Sequence, residues 1–98
     1  MWCYEVIVEL ETTLTGAFER YMRGKHIPEI FATGCFQAIY FEQSESNRFR
    51  TRYHARGRAD LDRYLEKHTA RFREDFIKHF PDGVCVARSI WQELQGWY

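Results

Sequence analysis

Nine residues at the N-terminus alternate without a break. Trp2, Tyr4, Val6, Val8 and Leu10 fall on one side of an extended chain, and Cys3, Glu5, Ile7 and Glu9 on the other. Strand side chains point to opposite faces with a period of two, so the segment predicts a half-buried strand. The same signature recurs at Arg48 to Ala55. There Phe49, Thr51, Tyr53 and Ala55 alternate with Arg48, Arg50, Arg52 and His54. Two strands of this kind belong to a sheet that helices cover on one face only.

The rest of the chain supplies the other elements. Thr12, Thr13 and Thr15 offer N-caps, and Leu14, Phe18, Tyr21 and Met22 make one apolar helical stripe that Gly24 is expected to stop. In His26-Ile27-Pro28-Glu29-Ile30-Phe31-Ala32-Thr33-Gly34, Pro28 suits a helical first turn and Gly34 a helix exit. A second strand is expected over Cys35 to Gln43, with the hairpin turn in Glu42 to Asn47. A long helix is expected from Asp60 to His79, on the stripe Leu61, Tyr64, Leu65, His68, Phe72, Phe76 and His79, with His68 in the core. Pro81-Asp82-Gly83 reads as a turn and Val84 to Leu94 as the last strand.

The order is β-α-β-β-α-β. In a single domain of 98 residues it predicts an α+β ferredoxin-like plait: a four-stranded antiparallel sheet, order 4-1-3-2, with two helices on one face. The open face would carry Glu5, Ile7 and Glu9 beside Arg48, Arg50, Arg52 and His54, with Glu5 and Glu9 expected opposite Arg50 and Arg52. One reading is a solvated face with compensating charges. The other is that a second copy packs on it, sheet to sheet, making a homodimeric barrel. The charges would then line a cavity suited to a small anionic or aromatic molecule.

Composition bears on partners. Basic and acidic residues balance at 14 each, which removes the general electrostatic case for nucleic acid. The basic cluster in residues 48–73 lacks the aromatic pair that stacks bases on such a sheet. No apolar run approaches the ~20 residues that span a bilayer, and the N-terminus has no basic leader. Three widely spaced cysteines (Cys3, Cys35, Cys85) fit a reducing cytoplasm. The expectation is a cytoplasmic protein with no nucleic-acid and no membrane partner. Aromatics at 17% exceed what a core of this size needs, and the surplus points to an interface or a ligand cavity.

The stretch HIPEIFATGCF, His26 to Phe36, resembles the HIPE-x-x-ATG-x-F signature of a small bacterial family known as domain of unknown function 4286. Arg52-Tyr53, Leu61 to Tyr64 and Phe80 to Arg88 are similar to that family's second half. Phe80-Pro81-Asp82-Gly83 departs from its Phe-Gly-Gly turn. The resemblance implies a dimeric α/β-barrel plait, an architecture shared with cofactor-free antibiotic-biosynthesis monooxygenases, muconolactone isomerases, haem-degrading oxygenases and chlorite dismutases. It implies no activity of its own.

The candidate site follows. His26 and His54 are the acid–base candidates, since imidazole titrates near neutrality. Glu5, Arg50, Arg52 and Arg88 are the ligand-binding candidates, with the facing of Arg88 left open by the sequence. Trp91, Trp97 and Tyr98 are candidates for rim or dimer contacts. No His pair or Cys pair has metal-ligand spacing, and no cofactor is expected. Two function classes stand: a cofactor-free oxygenase or isomerase, and a non-catalytic dimeric module that binds a ligand or a protein.

Overall fold

The computed structural model describes residues 1–98. Strands β1 (Trp2–Leu10), β2 (Ala38–Glu45), β3 (Arg48–Ala55) and β4 (Val84–Gln92) form one antiparallel sheet in the order β2-β3-β1-β4. This is the expected ferredoxin-like topology, and β1 and β3 have the bounds that their alternation predicts. Tyr4, Val8, Leu10, Phe49, Thr51, Tyr53 and Ala55 are buried beneath the helices.

The helical layer is more broken than its apolar stripes suggest. After a 3-10 turn (Thr12–Leu14), α1 (Thr15–Tyr21) runs through a π-helical stretch (Met22–His26) directly into α2 (Ile27–Phe31). Gly24 therefore stops nothing. Pro28 is the second residue of α2; it has no N–H to offer the carbonyl four residues back, and its ring crowds that carbonyl. Widening the preceding turn to i→i+5 spacing accommodates both effects without ending the helix. Gly34, at φ 75°, makes the exit.

The second helical region is two helices, α3 (Arg58–Lys67) and α4 (Thr69–His79), hinged at His68 with φ −125° and ψ −32°. His68 is consequently not a core residue. It is half-buried, and its Nδ1 lies 2.6 Å from Arg71 Nη1. Gly57, not Asp60, is the N-cap of α3, and Asp60 sits in its first turn. Strand β2 starts three residues later than expected, because Cys35 and Phe36 are buried in the loop before it. It then runs past Gln43 to Glu45 through a bulge.

Two packed clusters hold the layers together. One centres on Tyr4, Tyr53, Leu61, Tyr64 and Phe72, the other on Val8, Phe18, Tyr21, Phe49 and Phe80. Most of the aromatic surplus is thus core. The remainder is exposed at Phe31, Tyr40, Trp91, Trp97 and Tyr98. Before β4, Gly83 takes φ 74°, and its carbonyl accepts from Glu11 N at 2.9 Å. A Cβ there would meet Glu11 and Leu14 at 3.0 Å, so a glycine is required although the turn is Pro-Asp-Gly.

Candidate functional site

The sheet separates the sequence-predicted site residues into two groups. Glu5, Arg50, Arg52 and His54 lie on the open face. Arg88 pairs with Val6 in the β1–β4 ladder and so faces the helices, as does His26 from the π-helical stretch. His26 and His54 therefore do not converge.

On the open face the register differs from expectation. Glu5 is opposite Arg52, Glu9 is opposite Arg48, and Arg50 is opposite Ile7. Glu9 Oε1 accepts from Arg48 Nε at 3.1 Å. The partner of the other two arginines is Glu42 of β2. Its carboxylate accepts from Arg50 Nε at 3.1 Å and from Arg52 at 2.8 and 3.0 Å. The Arg52 hydrogen bond, ahead of the charges, holds the Glu42 carboxyl below the usual range. Both guanidiniums are thus already engaged, and Arg52 also lies over the Tyr40 ring, 5.1 Å from its centroid. His54 packs edge-on to Tyr40, and its Nε2 is buried without a partner. Burial, then the Arg52 charge, lowers its pKa. From β4, Cys85, Ala87, Ser89 and Trp91 complete this face.

The other group surrounds an internal cavity between sheet and helices. Its walls are apolar and aromatic, including Val6, Val86, Tyr53, Tyr64, Phe72 and Phe76, and its polar members are His26, Thr69, Arg73, Arg88 and the Tyr4 hydroxyl. The free space is about 40 Å³, room for a water or two, and about 450 Å³ with the open mouth included. Arg73 and Arg88 are exposed, so they stand at that mouth. Arg73 Nη2 donates to Tyr4 Oη at 3.1 Å.

His26 is held from behind. Tyr21 Oη lies 3.1 Å from His26 Nδ1 and 2.7 Å from Asp75 Oδ2, and Lys25 Nζ donates to the same Asp75 oxygen at 2.9 Å. Burial lowers the His26 pKa from 6.5 to about 4, against an opposing pull from Asp75. Hydrogen bonds from Lys25 and then Tyr21 lower the Asp75 pKa, while burial and the Asp75 bond raise that of Tyr21.

Sequence reasoning missed Tyr4, Tyr21, Arg73 and Asp75. Tyr21 and His26 are five residues apart, a spacing that brings side chains together on a π-helix but not under a 3.6-residue period. Arg73 and Asp75 read as charges on a solvated helix surface. No three His, Cys, Asp or Glu side chains converge to hold a metal ion.

The sequence profile of a domain of unknown function, DUF4286, matches residues 1–94. The chain belongs to the DUF4286 family. Comparison with curated proteins finds no match. Among solved structures, this DUF4286 protein is similar to HapK from Hahella chejuensis, at 13% identity and TM-score 0.74 over 100% of this chain and 97% of that one. It is also similar to a dimeric ferredoxin-like protein from an uncultured marine organism, at 7% identity and TM-score 0.74 over 100% and 99%. A third structure, described as an antibiotic biosynthesis monooxygenase, aligns at 13% identity and TM-score 0.64 over 91% and 96%. At these identities the likeness is one of fold. No helix of the DUF4286 chain is long and apolar enough to cross a membrane.

Proposed function

We propose that this DUF4286 protein binds a small aromatic molecule carrying an anionic or hydroxyl group in the helix–sheet cavity. We further infer that it pairs with a second copy through the open sheet face. The observation that carries the binding reading is the convergence of His26, Thr69, Arg73, Arg88 and Tyr4 on one otherwise apolar cavity. Aromatic walls suit a planar ring, and guanidinium suits a carboxylate or phenolate. Admitting a ring requires Arg73 or Arg88 to swing outward, and exposed arginines do so at little cost.

His26 gives the cavity a proton acceptor. Removing a proton from a ring hydroxyl, or from a C–H beside a carbonyl, leaves a phenolate or enolate. Return of the proton at another carbon is isomerase chemistry; reaction of the anion with dioxygen as co-substrate is cofactor-free oxygenase chemistry. The fold likeness to a structure described as an antibiotic biosynthesis monooxygenase supports the second direction. A binding module without turnover is the other reading. It is favoured by the His26 pKa of about 4, which makes the imidazole a weak base.

The open face suits a partner sheet rather than a free anion, because Glu42 already occupies Arg50 and Arg52. The dimeric ferredoxin-like neighbour supports the pairing. The test is calorimetric binding of 4-hydroxybenzoate to the wild type and to His26→Ala, Arg88→Ala, Arg52→Ala and His54→Ala. Loss in the first two variants alone supports the cavity. Loss in the last two alone moves the site to the open face.

A further inference from the structure

The hydrogen bonds behind His26 determine which of its ring nitrogens carries the proton. Tyr21 has one hydroxyl hydrogen and two neighbours. Asp75, with its pKa lowered, is an ionised carboxylate that only accepts, and it lies at 2.7 Å. The Tyr21 hydrogen is therefore committed to Asp75. The contact between Tyr21 Oη and His26 Nδ1, at 3.1 Å, can then be a hydrogen bond only if Nδ1–H donates to the phenol oxygen. A neutral imidazole carries one proton. Nε2 is left with a lone pair and makes no hydrogen bond within the chain.

We propose that Asp75 and Tyr21 are positioning residues that lock His26 as the Nδ1–H tautomer, so that the cavity presents an acceptor and selects ligands bringing an O–H or N–H donor to Nε2. This rests on the cavity reading above and narrows its ligand class. Beside Thr69, whose hydroxyl can donate or accept, the other polar groups have the opposite polarity. Arg73 and Arg88 only donate, and the Tyr4 hydroxyl, which already accepts from Arg73, has its own hydrogen free. The matching ligand has a donor at one end and an acceptor or anion at the other, across a planar apolar body. A hydroxyaryl carboxylate has that pattern; a simple aryl carboxylate lacks the donor.

The same hydrogen bonds also explain the π-helical turn in chemical terms. Tyr21 and His26 are five residues apart, and only the wider turn brings the phenol to the imidazole edge. Lys25, from the same turn, shares the Asp75 oxygen and keeps the carboxylate ionised.

Long-range proton–nitrogen NMR correlations on ¹⁵N-labelled protein at neutral pH read the tautomer directly. The expected wild-type pattern is a protonated Nδ1 and a bare Nε2 at His26. Asp75→Ala releases the Tyr21 hydrogen, which then turns to Nδ1, so His26 is expected to switch to Nε2–H. Tyr21→Phe removes the lock and is expected to give a mixture. Binding supplies the second readout, with 4-hydroxybenzoate and 4-fluorobenzoate, which differ little in size, as probes. The hydroxyl probe is expected to bind the wild type about tenfold more tightly, and the gap to close in Asp75→Ala.

A wild type with the proton on Nε2 overturns the lock whatever binds, and leaves the cavity reading standing. Equal affinities for the two probes overturn the donor selection. An Nδ1–H wild type that binds neither probe overturns the cavity reading, and the ligand class with it.

Discussion

Arg52 makes a two-point contact with Glu42, Nε to Oε1 at 2.8 Å and Nη2 to Oε2 at 3.0 Å, from the central strand β3 to the edge strand β2. The fork geometry fixes both side chains, and Arg50 adds a third bond to the same carboxylate. Glu42→Ala is expected to lower stability by about 1 kcal/mol, since the groups are only part-buried. A double-mutant cycle with Arg52→Ala in urea checks it, and strictly additive losses would show that the pair is uncoupled.

Phe18 is fully buried and meets four other phenylalanines, Phe41, Phe49, Phe76 and Phe80, with ring centroids 5.1 to 6.1 Å away. It ties the first helix to the sheet and to α4. Phe18→Ala is expected to cost about 3–5 kcal/mol. A urea midpoint within error of wild type would mean the cluster closes over the cavity.

Acid should weaken the fold in a defined window. The His26 pKa falls from 6.5 to about 4 on folding, so between those values the unfolded chain binds a proton that the folded chain does not. Stability is then full above about pH 6.5 and falls as pH drops towards 4, by up to about 3 kcal/mol. His54, also lowered by burial, acts in the same sense. The lowered carboxyls of Asp75 and Glu42 contribute stability above their ordinary range that is lost further down. His26→Gln should flatten most of the slope between pH 6.5 and 4 in a series of urea melts. An unchanged slope would remove His26 as its source.

Pairing through the open face makes a prediction of mass. Light scattering at micromolar concentration is expected to give twice the mass of one chain. Ile7 sits in the middle of that face, opposite Arg50 on β3 and Ala87 on β4. Ile7→Lys would press a second cation against Arg50 and is expected to yield monomer. A wild-type monomer, or a variant that stays dimeric, would place the contact elsewhere.

The strands were legible because a period of two is robust: the alternation in β1 and β3 assigns every side chain to the correct face. The ion pairs were not, because face assignment leaves register free. Glu42 reads as part of a hairpin turn, whereas its strand runs through a bulge to Glu45. The helices failed at two points for one reason. Apolar spacing at His68 and around Gly24 continues across a change of backbone geometry, so the stripe reads through a hinge and a π-turn alike. The candidate site suffered accordingly. His26 and Arg88 stand out in the sequence by their chemistry, but the face each occupies depends on that geometry and on the register of β4.

The wide turn at Met22–His26 makes the count of residues there a structural quantity in its own right. The wide turn absorbs one residue, so closing it to ordinary α-helix at its present length would rotate everything before it by about 100° relative to everything after it. Phe18 and Tyr21 on one side, and Ile30 on the other, could then no longer all point inward. Substitutions within Arg23-Gly24-Lys25 leave that phase untouched. A relative of equal length should therefore keep the wide turn, and one a single residue shorter should close it to ordinary α-helix with the same faces inward.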